Sequence, residues 1–453
     1  MQLQKKRFEP ATEPPRLTLG KTAAYCAAIL LCLGILKLMS LGYIRSPFAP
    51  APTATYRSEL YAEYGRTSFA AGNLEQAISA YQHAVAVDPR NYQLWAELAR
   101  IQTYSSELML SNEKKKARLE DALHSIDQAL GARSDGGKTT YTNDDFALGH
   151  AIRTLVLDWY ANPEWMDVDT REATLNQAYQ SSAKALALEP SSALALAFRA
   201  EVFVDQANWS AALDAGAKAA ELGADIMDVH RAYAYVLESN GYYQRAVDEY
   251  LEAIRINPNL PFLYIRLGAN YRKLGESATD TPTRDLMISK ALEAFARAAN
   301  LNPSDPLPYL SIAQTYANQG EFFAAENNAR KALGLDNTNP LLYGRLGVIY
   351  YKAKNYETAI KVLKCAVRGC TAEENEEQGV EVVETLPLAS NSVDVYYVYG
   401  SVLSFYGNEN DNCAEAAKIF TQLRASAYDD DTVEGIIREG EAICAAFART
   451  PTP

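Results

Sequence analysis

The feature that most constrains this chain is a pattern that returns. Tyr61, Tyr64, Gly65 and Ser68 are followed by Ala77, Tyr81 and Ala84, and then by Pro89. The same arrangement recurs at Tyr264, Leu267, Gly268 and Tyr271, completed after an insertion by Ala291, Phe295, Ala298 and Pro303. Small residues at fixed places let two helices approach closely, and large residues nearby fill the space left. One such pair cannot bury its apolar face alone, so successive pairs must stack. The expectation is an all-α solenoid. A solenoid presents a surface and carries no chemistry of its own.

The pattern resembles the tetratricopeptide repeat, a 34-residue helix–turn–helix unit with large, small and aromatic residues at set positions and a closing proline. Unit starts at 58 and 92, at 193, 227 and 261, and at 306 and 340 keep that phase within each group. The fifth unit is close to ideal, with Tyr233, Ala234, Leu237, Ala246, Tyr250, Ala253 and Pro258. The eighth offers Tyr343, Leu346, Gly347, Tyr350, Ala359, Leu363 and Ala366. The third, around Leu148, Gly149 and Ile152, and the ninth, around Tyr396, Tyr399 and Gly400, are degenerate. The resemblance implies a superhelical solenoid of about nine helix pairs over residues 58–428, without β-sheet. A capping helix over 429–448 and a tail over 449–453 follow it. Val433, Ile436, Ile437 and Ile443 give the cap one apolar face at roughly helical spacing. Long insertions at 161–170 and 371–392 interrupt the array, and the second, rich in glutamate, is expected to be exposed and mobile.

A second feature precedes the repeats. Residues 22–44 form an apolar run interrupted by one charge, Lys37, and spanning a bilayer as a helix takes about 20 such residues. Lys5, Lys6, Arg7, Arg16 and Lys21 stand before it, and only Arg45 and Arg57 close behind. Basic residues stay on the cytoplasmic side, so a transmembrane signal-anchor helix is expected to leave residues 1–21 in the cytoplasm and the repeats outside it. The proline- and alanine-rich segment 45–57 reads as an extended linker. The rival reading is a cleaved signal peptide, disfavoured by the prolines around the small residues at 49–52.

The whole chain of 453 residues is 48% hydrophobic, ample for a continuous core, and carries a net charge of −13. That balance argues against nucleic acid as a partner, because phosphate binding needs a basic field. Cysteine placement is informative. Cys365, Cys370, Cys413 and Cys444 all lie late in the chain, and an even number in an exported domain suggests bridges. Cys413 and Cys444 are nearly equidistant from a turn near Tyr428, so two antiparallel helices would bring them level. Cys365 and Cys370 flank a helix end where Gly369 can reverse the chain. The competing reading is four buried free thiols.

Nothing in the sequence reads as an active site. The four histidines, His83, His124, His150 and His230, lie in four different units, and no triad order or zinc spacing is present. Residues 131–139 look like a phosphate loop, but the spacing is one residue too long and the segment follows a helix. It is expected to be a flexible loop. The reading is therefore a non-enzyme with no cofactor and no metal.

What remains is surface. In the resembled family the first helix of each unit lines the inner groove, with positions 2, 5, 6, 9, 12 and 13 facing a ligand. Arg66 and Arg100 both fall at position 9, Arg231 at 5, Arg266 and Arg345 at 6 and Arg272 at 12, with Tyr104, Tyr235 and Tyr351 among them. Arginine pairs bidentately with carboxylates, so this face suits an acidic or extended peptide. The plainer alternative is surface arginine paired with Glu59, Glu63 and Glu97. The reading taken is a membrane-anchored scaffold that binds a protein or peptide partner outside the cytoplasm, in envelope assembly, secretion or surface-polymer machinery. A cytoplasm-facing adaptor or import receptor conflicts with the charge asymmetry. A carbohydrate or small-ligand binding module would rest on aromatic clusters such as Tyr242 with Tyr243.

Overall fold

The computed structural model describes residues 57–135, 138–374, 382–406, 411–426 and 430–449, with 23, 24, 27–31, 33, 34 and 37. The chain divides into two compact units, Met1–Tyr56 and Arg57–Pro453. In the first unit the described residues are helical. Most of the expected span at 22–44, the basic segment 1–21 and all of the linker but residue 57 lie outside the described residues. Among the described residues no helix is long and apolar enough to cross a membrane.

The second unit is a run of helix pairs. α1 (Ser58–Ala70) packs on α2 (Leu74–Val87), α3 (Tyr92–Ser106) on α4 (Asn112–Leu130), and α5 (Ala147–Tyr160) on α6 (Val168–Leu188). α7 (Ala193–Asp205) follows with α8 (Trp209–Leu222), α9 (Met227–Ser239) with α10 (Tyr243–Ile256), and α11 (Pro261–Ser277) with α12 (Thr281–Leu301). α13 (Pro306–Gln319) pairs with α14 (Phe322–Leu335), α15 (Pro340–Lys352) with α16 (Tyr356–Arg368), and α17 (Val393–Phe405) with α18 (Asn412–Arg424). The last helix, α19 (Asp431–Arg449), covers the ninth pair, packing on both α17 and α18.

Local chemistry sets the helix ends. Asn91, Ser111, Asp167, Ser192, Asn208, Asp280, Asp305 and Asn339 each accept a bond from a backbone N–H of the first turn. Pro261, Pro306 and Pro340 open their helices, where the missing N–H costs nothing. The repeat signature is visible as close approach. A Cβ on Gly65 would stand 2.6 Å from the Tyr81 ring, and one on Gly268 2.6–2.9 Å from Phe295. The alanines one turn before and after these rings on the same helices, Ala77 and Ala84, Ala291 and Ala298, are fully buried.

Two expectations need correction. The array carries a small sheet, a two-stranded antiparallel hairpin of β1 (Ala132–Asp135) and β2 (Lys138–Tyr141), in place of the expected flexible loop. Gly131, at a φ of 63°, ends α4 in the left-handed region and turns the chain back, and the threonines and tyrosine of β2 favour extended backbone. The insertion at 371–392 is only partly an exposed excursion. Residues 375–381 lie outside the described residues, but Val383, Leu386 and Ala389 are buried. Cys370 and Val383 form a β-bridge, Leu386 N–H donates to the Ala366 carbonyl, and the Tyr396 hydroxyl donates to Leu386 O. This returning strap is therefore tied to the array.

The four late cysteines form two pairs. Cys365 joins Cys370 with Cα atoms 4.8 Å apart, and Cys413 joins Cys444 at 5.6 Å. On α19, Val433, Ile437 and Gly440 are buried while Ile436 and Ile443 are half-buried. Arg424 bridges from α18 to Glu434 at 2.9 Å and Glu441 at 2.6 Å.

Candidate functional site

The first helices of the pairs face one another across the inside of the array, and the early units reach the middle ones. Asn259 Nδ2, in the turn before α11, donates to the Ala70 carbonyl at the end of α1 at 3.0 Å. The inner face is therefore partly consumed by contacts within the chain. The expected groove residues divide accordingly.

Arg100, Tyr104 and Arg231 are engaged within the chain. Arg100 Nη1 donates to both carboxylate oxygens of Asp228 on α9, at 3.0 and 3.2 Å, and Nη2 donates to Glu97 at 2.7 Å. Tyr104 is fully buried and its hydroxyl donates to Asp228. Burial would raise the Asp228 carboxyl, but Arg100 and the Tyr104 hydrogen bond prevail and hold it below the usual range. Arg231 is 5% exposed and grips Glu201 through two parallel bonds of 2.9 and 2.5 Å. Its guanidinium lies 5.3 Å from the ring centres of both Tyr104 and Trp159. These residues hold successive units together, because a buried charge is tolerated only when paired. Arg66 is the opposite case: exposed, and paired only with Glu63 one turn away.

Arg266 is half-buried and bonded to Glu238, which also accepts from Asn270 Nδ2 and the Tyr250 hydroxyl. Tyr235 is half-buried, its hydroxyl 3.4 Å from Asp205. Arg345 bonds Asp394 and the Asn391 carbonyl on the returning strap. Tyr351 rests against Tyr356, with ring centres 5.7 Å apart.

Two clefts remain open on this face. The first, of about 380 Å³, lies where the second to sixth units meet. Its wall includes Lys115, Asp158, Trp159, Asp205, Tyr235 and Phe262. Ala161, Asn162 and Pro163 of the 161–170 insertion close its edge. Asp158 is 2% exposed and its Oδ1 has no hydrogen-bond partner among the described residues. Burial, with the charges of Asp205 and Glu201 beside it, pushes the Asp158 carboxyl well above the carboxylate range. Burial also pushes Asp205 up to about 6, against the pull of Arg171. Arg231 Nε likewise lacks an acceptor among the described residues, although both of its terminal nitrogens are satisfied.

The second cleft, of about 240 Å³, runs over the first helices of the sixth to ninth units. Arg272, Lys273, Arg345 and Lys352 line it with Gln314 and Asn318. Lys273 sits 3.3 Å from Glu276, and Lys352 donates to Asn318 Oδ1 at 3.2 Å. Arg272 has no carboxylate partner among the described residues. Its Nη1 makes only two long contacts, of 3.5 Å, to Ser311 O and Thr315 Oγ1. Burial lowers its pKa, and Glu276, which lines the cleft with Asp394, offsets that only in part.

What this arrangement offers is binding. No group of three or more His, Cys, Asp or Glu that could hold a metal occurs among the described residues. His230, on the fifth unit, is a satisfied core residue: Nδ1 lies 2.6 Å from Glu249 and Nε2 3.1 Å from the Ala224 carbonyl. Sequence reasoning found the arginines and named Glu63 and Glu97, which pair with Arg66 and Arg100, but missed the carboxylates farther along the chain. Asp228, Glu201, Glu238 and Asp205 occupy positions 2, 9, 12 and 13 of their units, the same inner positions as the arginines. Counting acids on those positions would have shown the pairing. Asp158 falls at position 12 when the third unit is counted from Ala147, the start of its first helix, but the degenerate repeat does not mark that start in the sequence.

Models of the tetratricopeptide repeat match residues 58–101, 199–261 and 310–373. No curated protein matches the chain. Among solved structures, a thermophilic TPR protein of Thermus thermophilus is 19% identical, covering 47% of this chain and 98% of that one at a TM-score of 0.35. YrrB, a TPR protein with an unusual peptide-binding site, is 22% identical, covering 42% and 91% at 0.32. PilF of Pseudomonas aeruginosa is 19% identical, covering 48% and 90% at 0.36. The matched segments of the repeat models fall on the stacked helix pairs, and by that correspondence the chain carries tetratricopeptide repeats.

Proposed function

We propose that this protein is a non-enzymatic scaffold that holds an acidic, extended segment of a partner protein in the cleft over the sixth to ninth units. The observation that carries the reading is Arg272: a guanidinium in the cleft wall, largely desolvated, with no ion pair among the described residues and only a partial offset from Glu276 on the same wall. Lys273 and Lys352 stand beside it with exposed ammonium groups, and a carboxylate arriving there gains a charge-assisted bond. The test is titration of the full chain, purified in detergent, with a fluorescent oligoglutamate peptide. Arg272→Gln together with Lys352→Glu is expected to weaken binding by about tenfold or more, since bonds to charged groups are worth about 1.5–3 kcal/mol. Undiminished binding sinks the reading.

We further propose that residues 22–44 anchor the chain in a membrane, with the array outside the cytoplasm among envelope, secretion or surface-polymer proteins. The apolar run and the excess of basic residues before it support this orientation. So does the pairing of Cys365 with Cys370 and of Cys413 with Cys444, since disulfides persist in oxidising compartments. The same pairing speaks against the cytoplasm-facing adaptor. Alkaline phosphatase fused after Thr55 is expected to be active. An inactive phosphatase with an active cytoplasmic reporter at that junction contradicts the orientation.

A further inference from the structure

The cleft where the second to sixth units meet has an odd charge. Every cation on its wall is matched by a carboxylate. Lys115 pairs with Glu107 at 3.1 Å, Arg171 with Asp205 at 3.8 Å, Arg231 with Glu201 at 2.5 Å, and Arg266 with Glu238. Asp158 is the carboxylate left over, almost fully buried, with an oxygen that accepts nothing from the described residues. A lone buried carboxylate is costly unless something completes it, and evolution of a mere packing position would favour an apolar residue there.

The rest of the wall already receives guanidinium groups: Arg231 lies 5.3 Å from the Trp159 ring centre and Arg266 5.7 Å from that of Tyr235, and Phe262, stacked on Tyr104, lines the same space. Aromatic faces attract ammonium and guanidinium groups, most strongly when both are desolvated. The volume, about 380 Å³, lies within the range of ligand pockets. The edge at Asn162 and Pro163 is partly open to solvent, so the space has an entrance.

We propose that this cleft is a binding site for a cationic group, a primary ammonium or a guanidinium, which pairs with Asp158 against the aromatic wall. The source is an arginine or lysine side chain of a partner's segment or a free polyamine; the chemistry at Asp158 is the same. The site is independent of the acidic-segment cleft. With both occupied, the inner face recognises opposite charges at two separate places. Burial, with Asp205 and Glu201, raises the Asp158 carboxyl against the pull of Arg231 and Arg171, and an arriving cation favours its ionised form.

The test is calorimetric titration of the full chain, in detergent near neutral pH, with N-acetyl-arginine amide, N-acetyl-lysine amide and spermidine. N-acetyl-citrulline amide serves as the neutral control. Saturable binding of the cations and rejection of citrulline amide are expected. Asp158→Asn keeps the shape, removes the charge, and is expected to weaken the cations at least tenfold with an unchanged circular dichroism spectrum. If that variant misfolds, the discrimination of the unaltered chain between arginine amide and citrulline amide decides alone. Tighter binding of the amides than of spermidine assigns the source to a side chain, and the reverse order to a free polyamine. No saturable binding of any cation overturns the proposal. So does equal affinity for citrulline amide, or full affinity in a folded Asp158→Asn protein. Arg272→Gln is expected to change none of these values, so failure here leaves the acidic-segment reading standing.

Discussion

Removing the bridge between α18 and α19 tests how the array ends. Cys413 and Cys444 are 31 residues apart, and their Cα atoms are 5.6 Å apart across two packed helices. Closing a loop of that length removes about 12 cal/mol/K from the unfolded ensemble in the chain-entropy model, or about 3.7 kcal/mol at 25 °C. The helix it secures carries few other anchors: Val433 and Ile437 are buried, and Arg424 clamps Glu434 and Glu441 at the surface. Exposed ion pairs contribute little, about 0–1 kcal/mol each. The bridge is therefore the largest single contribution to docking the cap. In a solenoid each pair leans only on its neighbours, so the loss stays local. Hydrogen exchange on the full chain with Cys413→Ser and Cys444→Ser is expected to show the free energy of opening of α19 and α18 falling by up to about 3.7 kcal/mol, with α9 to α12 unchanged. Without the cap, Phe420, packed against Gly440, is exposed, and the variant should bind a hydrophobic dye. Unaltered protection in α19 refutes the argument. Uniform loss along the array refutes the nearest-neighbour picture behind it.

Three further outcomes follow from the inner face and the repeat signature. Arg100→Glu places a carboxylate beside Asp228 and Glu97 and is expected to cost about 3–5 kcal/mol, read as a fall in melting temperature, whereas Arg66→Glu on the exposed α1 should stay within about 0.5 kcal/mol. Asp205 has a folded pKa of about 6, above its ordinary 3.8, so the folded state binds more protons between those values and stability falls as pH rises through that window; Asp205→Asn is expected to flatten the slope, and an unchanged slope counts against the burial of this group. Gly268→Ala forces a methyl to within 2.6–2.9 Å of the Phe295 ring and is expected to cost about 1–3 kcal/mol by overpacking, with a neutral result in chemical denaturation showing that the pair can spread.

The helix pairing was legible because it is written locally. Gly65 against Tyr81 and Gly268 against Phe295 are small and large residues at fixed separation, and the contact lies within one unit. The cysteine reading was legible for a similar reason: the turn between α18 and α19 sets two helices side by side, and the structure brings Cys413 level with Cys444. The inner face was half legible. Its arginines stood at the right positions, but the partners of Arg100 and Tyr104 come from α9, more than one hundred residues on. Only the curvature of the stack decides which distant units meet, and no repeat position encodes it. The hairpin after Gly131 and the strap from 382 to 392 lie in insertions, where the repeat pattern is silent. Asp158 lies on α5, whose degenerate repeat leaves the start of its unit unmarked in the sequence.

The central claim is that partners are held on the inner face of the array. The most direct measurement places a photo-crosslinking amino acid singly at Lys273, at Lys352 and at Phe323 in the full chain, and compares what each captures in the native cell. Lys273 and Lys352 line the open cleft on the first helices of their pairs, and Phe323, 80% exposed, lies on a second helix. The account predicts that Lys273 and Lys352 capture one common protein through an acidic segment, identified by mass spectrometry of the crosslinked peptide, and that Phe323 captures none of it. Capture of that protein from Phe323 alone, with both cleft positions silent, contradicts the account.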